Sequence, residues 1–388
     1  SLFFLGTWPA ILTHLERNGR LPQHTYLDYT LSNFSAAVII ALTLGETGKS
    51  TFEAPNFLVQ LKQVSCYWQS MLFAMAGGLV LSIGNLSTQY AWAFVGLSVV
   101  EVVTSCVSVV IGTTMNYFLD DKINNAAILF PGVACFLAAV CLGSAVYLSD
   151  SVDKARKLST LPSDDKSESQ NGSERDSSTT SADVSNVENG AAEKAEAGSV
   201  RFILELEKKR SIKVIGRNTV LGLAITLFAG ICLSLFAPAF NLATNDQWNV
   251  LEKGVPKMGI YTAFFWFSTS SFVIAIILNV TFLYRPILEL PSSSLAAYFK
   301  DWEGRGWALF AGLLSGFGDG LQFMGGQAAG YAAADAVQGF PLVSTFWAIM
   351  IFGEYMKSSQ KTYALLVGML SMFIVATAVL LASSALRK

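Results

Sequence analysis

The chain is short of charge and of the side chains that most often carry out chemistry. Only 14% of its 388 residues are charged, whereas a soluble domain has about 25%. It has two histidines, His14 and His24, and no HExxH or catalytic-triad spacing. Its five cysteines form no CxxC pair; they are Cys66, Cys106, Cys135, Cys141 and Cys232. These scarcities argue against disulfides, a metal site and a membrane-embedded enzyme, and we predict no bound cofactor.

The charges that are present lie mostly in loops and in one hydrophilic insert. The net charge of −2 therefore says little about partners, and nucleic acid is not predicted to be one. Lysine and arginine are missing from the centres of the long apolar runs. Their absence argues against a strongly anionic substrate such as a sugar phosphate or a nucleotide.

Long apolar runs are what the sequence has in abundance. Hydrophobic residues make up 52% of the chain, and its mean hydropathy is +0.47. A helix needs roughly 20 mostly apolar residues to cross a bilayer. Runs of that kind lie at 25–45, 67–87, 92–115, 126–148, 218–240, 259–283, 307–327, 331–352 and 362–384. A shorter apolar run before Thr13 leads into Glu16 and Arg17 without a cleavage site, so we interpret it as a truncated first span.

Five spans on each side of the insert predict an all-α integral membrane protein with about ten transmembrane helices. Because five is odd, the halves should form two inverted five-helix repeats, as in many transporters. The expected domains are a first repeat at 1–149, a disordered cytosolic loop with a juxtamembrane amphipathic helix at 150–217, and a second repeat at 218–388. Trp8-Pro9-Ala10 and Ala237-Pro238-Ala239 are a short echo of this duplication.

The insert at 151–198 is rich in Ser, Asp, Glu, Asn and Lys and has almost no large apolar residue. It cannot bury a core, so we expect it to be disordered. Lysines and arginines on both of its flanks predict that the insert is cytosolic. Counting spans outward from it puts both termini outside, and Arg387 and Lys388 at the C-terminus do not fit the excess of basic residues expected on the cytosolic side. The amphipathic segment that follows it either lies on the membrane surface or leads into the sixth span.

Three carboxyl groups fall at membrane depth, where an ionised side chain costs several kcal/mol. Glu101 is near the middle of the fourth span, Asp319 is within the eighth, and Asp335 is near the start of the ninth. A carboxyl that gains and loses a proton suits proton coupling, so all three are candidate coupling residues. The alternative is that neighbouring helices satisfy them for structural reasons.

Amide and aromatic side chains accompany these acids and predict a small neutral nitrogen-heterocycle as substrate. Amides donate and accept hydrogen bonds at once, and aromatic rings offer flat surfaces to a planar ligand. The candidate substrate-binding residues are Asn85, Gln89, Trp92, Trp266, Gln322, Gln327 and Tyr331. Pro9 and Pro238 mark either interrupted helices beside this site or ordinary kinks.

Four stretches resemble the plant ureide permeases, and the resemblance extends over nearly the whole chain outside the insert. They are LGTWPAILTHLERNGRLPQHTYLDYTLSN, QYAWAFVGLSVVEVV, FAPAFNLATNDQW and GLQFMGGQAAGYAAADAVQGFPLVSTFW. The resemblance implies uptake of allantoin, and of oxo derivatives of nitrogen heterocycles such as uracil and xanthine, driven by a proton gradient. It also implies a drug/metabolite-transporter-like build and a place in the plasma membrane.

That family also carries an A-x-x-x-x-G-K-S string before the sixth span, for which ATP binding has been proposed. Three defining positions differ here, the phosphate-facing lysine among them, so we do not expect a nucleotide site. The aligned residues are Ser211, Ile212, Lys213, Val214, Ile215, Gly216, Arg217 and Asn218. Two alternatives stay open: a transporter of another small neutral metabolite, and a transporter regulated by ATP or a partner at the loop.

Overall fold

The computed structural model describes residues 1–120, 124–159, 199–214, 219–288 and 290–385. Most of the insert, for which disorder is predicted, lies outside these ranges. Within them the regular structure is helical and contains no strand. The α-helices are α1 (Leu2–Arg17), α2 (Pro22–Thr43), α3 (Phe57–Lys62), α4 (Val64–Val95), α5 (Leu97–Ser108), α6 (Thr114–Leu119), α7 (Ala126–Ser159), α8 (Val200–Lys209), α9 (Thr219–Asn245), α10 (Ile260–Tyr284), α11 (Leu295–Lys300), α12 (Arg305–Ala329), α13 (Tyr331–Ala334), α14 (Pro341–Phe352) and α15 (Gln360–Ala385).

Eight helical stretches among the described residues are long and apolar enough to cross a membrane. They are Pro22–Glu46, Val64–Val95, Leu97–Leu119, Ala126–Asp153, Val220–Asn245, Ile260–Tyr284, Tyr331–Phe352 and Gln360–Ser383. The other two predicted spans are α1, which has only 16 residues, and α12, which is rich in glycine and carries Asp319 and Gln322. The prediction of an all-helical membrane protein is confirmed.

Pro9 and Pro238 lie inside α1 and α9, and both helices continue through them. Neither helix is interrupted, so the kink alternative is the one that the structure favours. The abrupt breaks come instead at two glycines. Gly96 (φ 93°) is the single residue between α4 and α5, and Gly330 (φ 90°) is the single residue between α12 and α13. A positive φ is accessible to glycine at little cost, which allows these one-residue turns.

The two halves of the chain pack against each other in matching pairs. The first to tenth spans are α1, α2, α4, α5–α6, α7, α9, α10, α12, α13–α14 and α15. The third span packs on the sixth, and the matching pair is the eighth span on the first. The eighth span also packs on the second, and the matching pair is the third span on the seventh. Likewise the sixth packs on the fourth and the first on the ninth. Exchanging each span with the one five later leaves this pattern unchanged, while the repeat boundaries at 149 and 218 stay a prediction.

A phenylalanine cluster fills the space between α9, α10 and α12. The rings of Phe240 and Phe323 stack with centroids 3.6 Å apart, and Phe267 meets Phe323 edge-on at 5.0 Å. Phe236 joins the cluster through edge contacts to both Phe267 and Phe323. Such aromatic pairs add about 0.5–1.5 kcal/mol each beyond area burial. This apolar block supports one wall of the cavity described next.

Candidate functional site

A cavity with about 490 Å³ of empty space, its opening included, lies among α1, α4, α5, α9, α12 and the turn before α14. These helices belong to the first, third, fourth, sixth, eighth and ninth spans. It is lined by Leu5, Trp8, Leu81, Asn85, Thr88, Glu101, Thr104, Ser105, Ser108, Leu233, Phe236, Ser315, Asp319, Gln322, Gln338 and Phe340. Of the residues that the structure describes, no lysine, arginine or histidine takes part in this lining. The cavity therefore suits a small neutral ligand or a cation better than an anion.

Two of the three predicted coupling carboxyls, Glu101 and Asp319, line this cavity. Glu101 lies five residues after the Gly96 turn, so it is near the start of the fourth span and not near the middle as predicted. It is 4% exposed and accepts a 2.6 Å hydrogen bond from the indole Nε1 of Trp92. Asp319 lies on α12, is 6% exposed, and interacts with the side chains of Asn33 and Ser315. The structure thus brings two acids, contributed by the two halves of the chain, to one buried space.

Asn85 and Gln322 are the predicted amides that reach the cavity. Gln322 is 5% exposed, and its Oε1 has no hydrogen-bond partner among the described residues. Asn85 hydrogen-bonds with the Tyr29 hydroxyl, which also bonds the Ser315 hydroxyl at 2.7 Å. A buried amide oxygen without a partner loses free energy unless a ligand or water pairs with it. Gln322 is therefore the side chain most in need of a polar ligand.

Gln338 also lines the cavity, and sequence reasoning missed it. It lies in the 3₁₀ turn before α14, and the Ser105 hydroxyl donates to its Oε1 at 3.5 Å. Gln338 is an amide within the apolar ninth span, and this is the sequence signal that could have identified it as a candidate. The hydroxyls of Thr88 and Thr104 were missed for another reason, because each bonds a carbonyl of its own helix, as such residues commonly do in membranes.

Aromatic surface in the cavity comes from Trp8, Phe236 and Phe340. The Trp8 ring packs against the ring of Tyr29, with centroids 5.0 Å apart, and against the ring of Trp92, with centroids 5.6 Å apart. Trp92 itself supports Glu101 and does not line the cavity. A ligand ring would therefore meet a tryptophan that is held in one position.

The remaining predicted binding residues lie away from the cavity. Gln89 is buried and donates to the Pro22 carbonyl at 3.2 Å. Trp266 is half-buried beside the phenylalanine cluster, and Gln327 is exposed. The Tyr331 hydroxyl pairs with the Thr244 hydroxyl at 3.0 Å. The structure does not bring these four side chains together with Glu101.

Asp335, the third predicted coupling acid, belongs to a separate buried polar cluster. Its Oδ2 accepts from the Thr113 hydroxyl at 3.0 Å and from Asn116 Nδ2 at 3.3 Å. Asn241 Nδ2 donates both to Asn116 Oδ1 at 3.2 Å and to Asp120 Oδ1 at 2.8 Å. The cluster joins the ends of the fourth and sixth spans to the start of the ninth.

Four of the eight residues aligned with the nucleotide string are described, and residues 215–218 lie outside the described ranges. The Lys213 ammonium donates to the carbonyls of Glu207, Lys208 and Arg210 at 2.6, 3.0 and 2.9 Å. The Ile212 amide donates to Glu16 Oε1 at 3.0 Å. These groups are engaged in fixing the end of α8 to the end of α1.

Several ion pairs lie on the face of the molecule that carries the insert. Arg17 bonds Glu354 at 2.6 Å, and Arg20 bonds Asp28 at 2.6 Å. The Tyr298 hydroxyl donates to Asp28 at 2.7 Å, and burial together with this carboxylate raises the pKa of Tyr298. His24 Nδ1 lies 2.7 Å from Asp301. Buried ion pairs are costly to break one partner at a time, so these contacts stabilise the packing of the helix ends on this face.

Comparisons with known proteins match the sequence over most or all of its length. The sequence model of the Ureide permease family matches residues 25–383. Ureide permease 1 of Arabidopsis thaliana is 64% identical over 389 residues, covering 100% of this chain and 96% of that protein. Ureide permease 2 of Arabidopsis thaliana is 62% identical over 388 residues, again covering 100% and 96%.

A relative from a second plant species also matches most of the chain. Probable ureide permease A3 of Vigna unguiculata is 59% identical over 366 residues, covering 94% of this chain and 96% of that protein. No solved structure matches this chain significantly. Matches of this length and identity, on a helical membrane fold with a buried polar cavity, show that the chain belongs to the ureide permease family of transporters.

Proposed function

We propose that this chain is a proton-coupled secondary transporter that takes up allantoin and related ureides, and also oxo derivatives of nitrogen heterocycles such as uracil and xanthine. The observation that carries the proposal is the cavity, in which Glu101 and Asp319 meet Asn85, Gln322 and Gln338. Carboxyls supply a group that can carry a proton, and amides supply a group that can pair with a neutral imide or urea.

The substrate class follows from the hydrogen-bonding groups of the cavity. Ureides and oxo-heterocycles present alternating N–H and C=O groups on a small neutral skeleton. The amides of Asn85, Gln322 and Gln338 can each donate and accept, so they match such an edge in either orientation. Trp8 and Phe340 provide apolar surface for the faces of the ring. The names of the relatives, which are ureide permeases, support ureides as the first substrates to test.

Glu101 is the proposed proton carrier. It faces the substrate cavity, and its hydrogen bond from Trp92 fixes one carboxyl oxygen. An ionised carboxylate is costly in a closed cavity within the membrane, so its protonation would favour the closed, substrate-loaded form. Loss of the proton on the other side would favour reopening. Asp319 is the second candidate carrier, and Asp335 is the third.

The proposed setting is the plasma membrane, with the insert in the cytosol and the ten spans arranged as two inverted repeats. The matching pairs of packed spans support the repeats. The lysines and arginines beside the insert support its cytosolic side. The substrate cavity would then lie between the repeats, which is the usual place in transporters of this build.

Uptake of labelled allantoin into proteoliposomes tests the proposal directly. With an inward proton gradient, the label should accumulate above its external concentration, and a protonophore should abolish the accumulation. Protein-free liposomes are the control. Uptake that only equilibrates, with or without the gradient, would contradict proton coupling. Transport of an unrelated neutral metabolite with no competition by ureides or uracil would favour the broader drug/metabolite alternative.

A further inference from the structure

One pattern of a glycine and two acids occurs twice in the chain with equal spacing. Glu101 follows Gly96 by five residues and Asp120 follows it by 24. Asp335 follows Gly330 by five residues and Glu354 follows it by 24. Both glycines make a one-residue turn between two spans with φ near 90°. The fourth and ninth spans thus start at a glycine turn, carry a buried acid near the start, and end at a second acid.

The end acid of each of these spans hydrogen-bonds to the start of the other. Glu354, at the end of the ninth span, accepts from the backbone N–H of Leu97 at 3.3 Å and of Ser98 at 3.4 Å. Asp120, at the end of the fourth span, accepts from the backbone N–H of Ala332 at 3.1 Å. Backbone N–H groups at a helix start have no partner within the helix. Each acid therefore holds in place the residues that directly follow a glycine turn.

A side chain from the first or sixth span completes each arrangement. Arg17 of α1 donates to Glu354 at 2.6 Å and lies 4.2 Å from the centre of the Phe352 ring. Asn241 of α9 donates to Asp120 at 2.8 Å. Glu354 thus ties α1 to α5 on the face that carries the insert, and Asp120 ties α9 to α13 on the opposite face. The cavity lies between these two ties.

We propose that Glu354 and Asp120 are paired gate residues, and that each holds one face of the transporter closed while the other is released. This inference rests on the proposed transport function, since alternating access is what a gate would serve. Release of Glu354 frees the α5 start and with it Glu101, whereas release of Asp120 frees the start of α13 and with it Asp335. Both ties are made in the described structure.

Cysteine labelling tests the gates without any substrate. A Ser105→Cys variant places a thiol in the cavity, and the unmodified protein gives the background from the native cysteines. Sealed vesicles of both orientations, identified by protease cleavage of the insert, receive a membrane-impermeant thiol reagent. Glu354→Gln should raise labelling of the introduced thiol from the insert face roughly tenfold or more and lower it from the opposite face. Asp120→Asn should do the reverse.

Glu205→Gln is the control. Glu205 is a carboxylate on α8, beside the same face, and its ion-pair partner at 3.0 Å is Arg201, not a residue of the proposed gate. This variant should leave the sidedness of labelling unchanged. The inference is overturned when Glu354→Gln raises labelling equally from both faces, or when Glu205→Gln has the same effect as Glu354→Gln. Because labelling needs no ureide, a failure of the proposed substrate leaves this test intact.

A second pair of variants decides the question when Glu354→Gln does not fold. A Cβ at Gly96 would meet the Glu354 carboxylate at 3.4 Å in a strained φ of +93°, whereas Gly48 has the same φ and nothing within 4 Å. Gly96→Ala should shift labelling toward the insert face, and Gly48→Ala should not. Equal labelling in these two variants contradicts the role of Glu354 at the turn.

Discussion

The indole Nε1 of Trp92 donates a 2.6 Å hydrogen bond to the carboxylate of Glu101 across the Gly96 turn. Trp92 is on the third span and Glu101 is on the fourth, and the one-residue turn brings them together. Trp92 also packs against Trp8, which lines the cavity. A change at Glu101 can therefore reach the aromatic wall that a substrate would touch, which links the proposed proton carrier to the proposed substrate site.

The first prediction is that Glu101→Gln uncouples transport. Glutamine keeps the size of the side chain and an oxygen that can accept from Trp92, but it cannot release a proton. Exchange of labelled for unlabelled substrate between preloaded proteoliposomes should persist, while gradient-driven accumulation should disappear. Asp319→Asn is the comparison, and it should retain part of the accumulation. Accumulation by Glu101→Gln at the wild-type level would reject Glu101 as the carrier.

The second prediction concerns Gln322, whose buried Oε1 lacks a partner among the described residues. Leaving a ligand group unpaired costs about 1–3 kcal/mol, so Gln322→Ala should weaken substrate binding by roughly five-fold to more than a hundred-fold. Gln327→Ala is the matched control, since Gln327 is an exposed amide on the same helix and should tolerate the change. The Michaelis constant for allantoin measures both. Equal effects of the two variants would place the binding site elsewhere.

The third prediction separates flat substrates from puckered ones. Trp8, and not Trp266, offers a ring to the cavity, so Trp8→Leu should reduce uptake of planar uracil more than uptake of allantoin. Aromatic contacts are worth about 0.5–1.5 kcal/mol, which corresponds to a roughly two-fold to ten-fold change in their ratio. Competition between the two labelled substrates gives the ratio directly. Trp266→Leu should leave it unchanged, and a shift with Trp266→Leu alone would contradict the cavity described above.

Hydropathy was enough to locate most spans, because lipid-facing and buried helix surfaces are both apolar. The runs at 259–283 and 331–352 correspond to Ile260–Tyr284 and Tyr331–Phe352. It could not show the Gly96 turn, since one glycine between two apolar helices does not interrupt an apolar run. The predicted third span ended at 87, where the polar Ser87, Thr88 and Gln89 interrupt the apolar run, whereas α4 continues through them to Val95.

The site was found only in part, for a related reason. Glu101, Asp319, Asn85 and Gln322 stood out because strongly polar groups are costly in a membrane and need a cavity or a partner. Gln327 was as prominent in sequence but lies on an exposed part of α12. A helix that is apolar on all sides gives no periodic signal of which face is inward. Only the packing of the helices decides between such residues.

The fourth prediction is that the middle of the insert is dispensable for transport. Residues 160–198 contain no aromatic side chain and few large aliphatic ones, so they have too little apolar surface to shape a pocket. Replacing them with a Gly/Ser sequence of equal length should leave the Michaelis constant unchanged. Equal length avoids any strain on the flanking helices. Markedly weaker substrate binding by a variant that reaches the membrane would show that the insert takes part.

The last prediction concerns the segment that follows the insert, which is fixed to α1 by a buried ion pair. The guanidinium of Arg210 donates to both oxygens of Glu16, at 3.3 and 3.1 Å, and the two residues are 7% and 4% exposed. Removing one partner of a buried pair leaves a charge uncompensated and costs about 3–5 kcal/mol. The Arg210→Ala variant in detergent should therefore unfold at a clearly lower temperature than the wild-type protein.

Arg201→Ala is the control for this prediction, because Arg201 forms an exposed pair with Glu205 on the same short helix. Exposed pairs contribute little, so this variant should unfold at the wild-type temperature. Glu16→Gln combined with Arg210→Ala removes both charges and should recover part of the loss, since no charge is then left buried alone. Equal unfolding temperatures for Arg210→Ala and Arg201→Ala would mean that the buried pair does not fix this segment to α1.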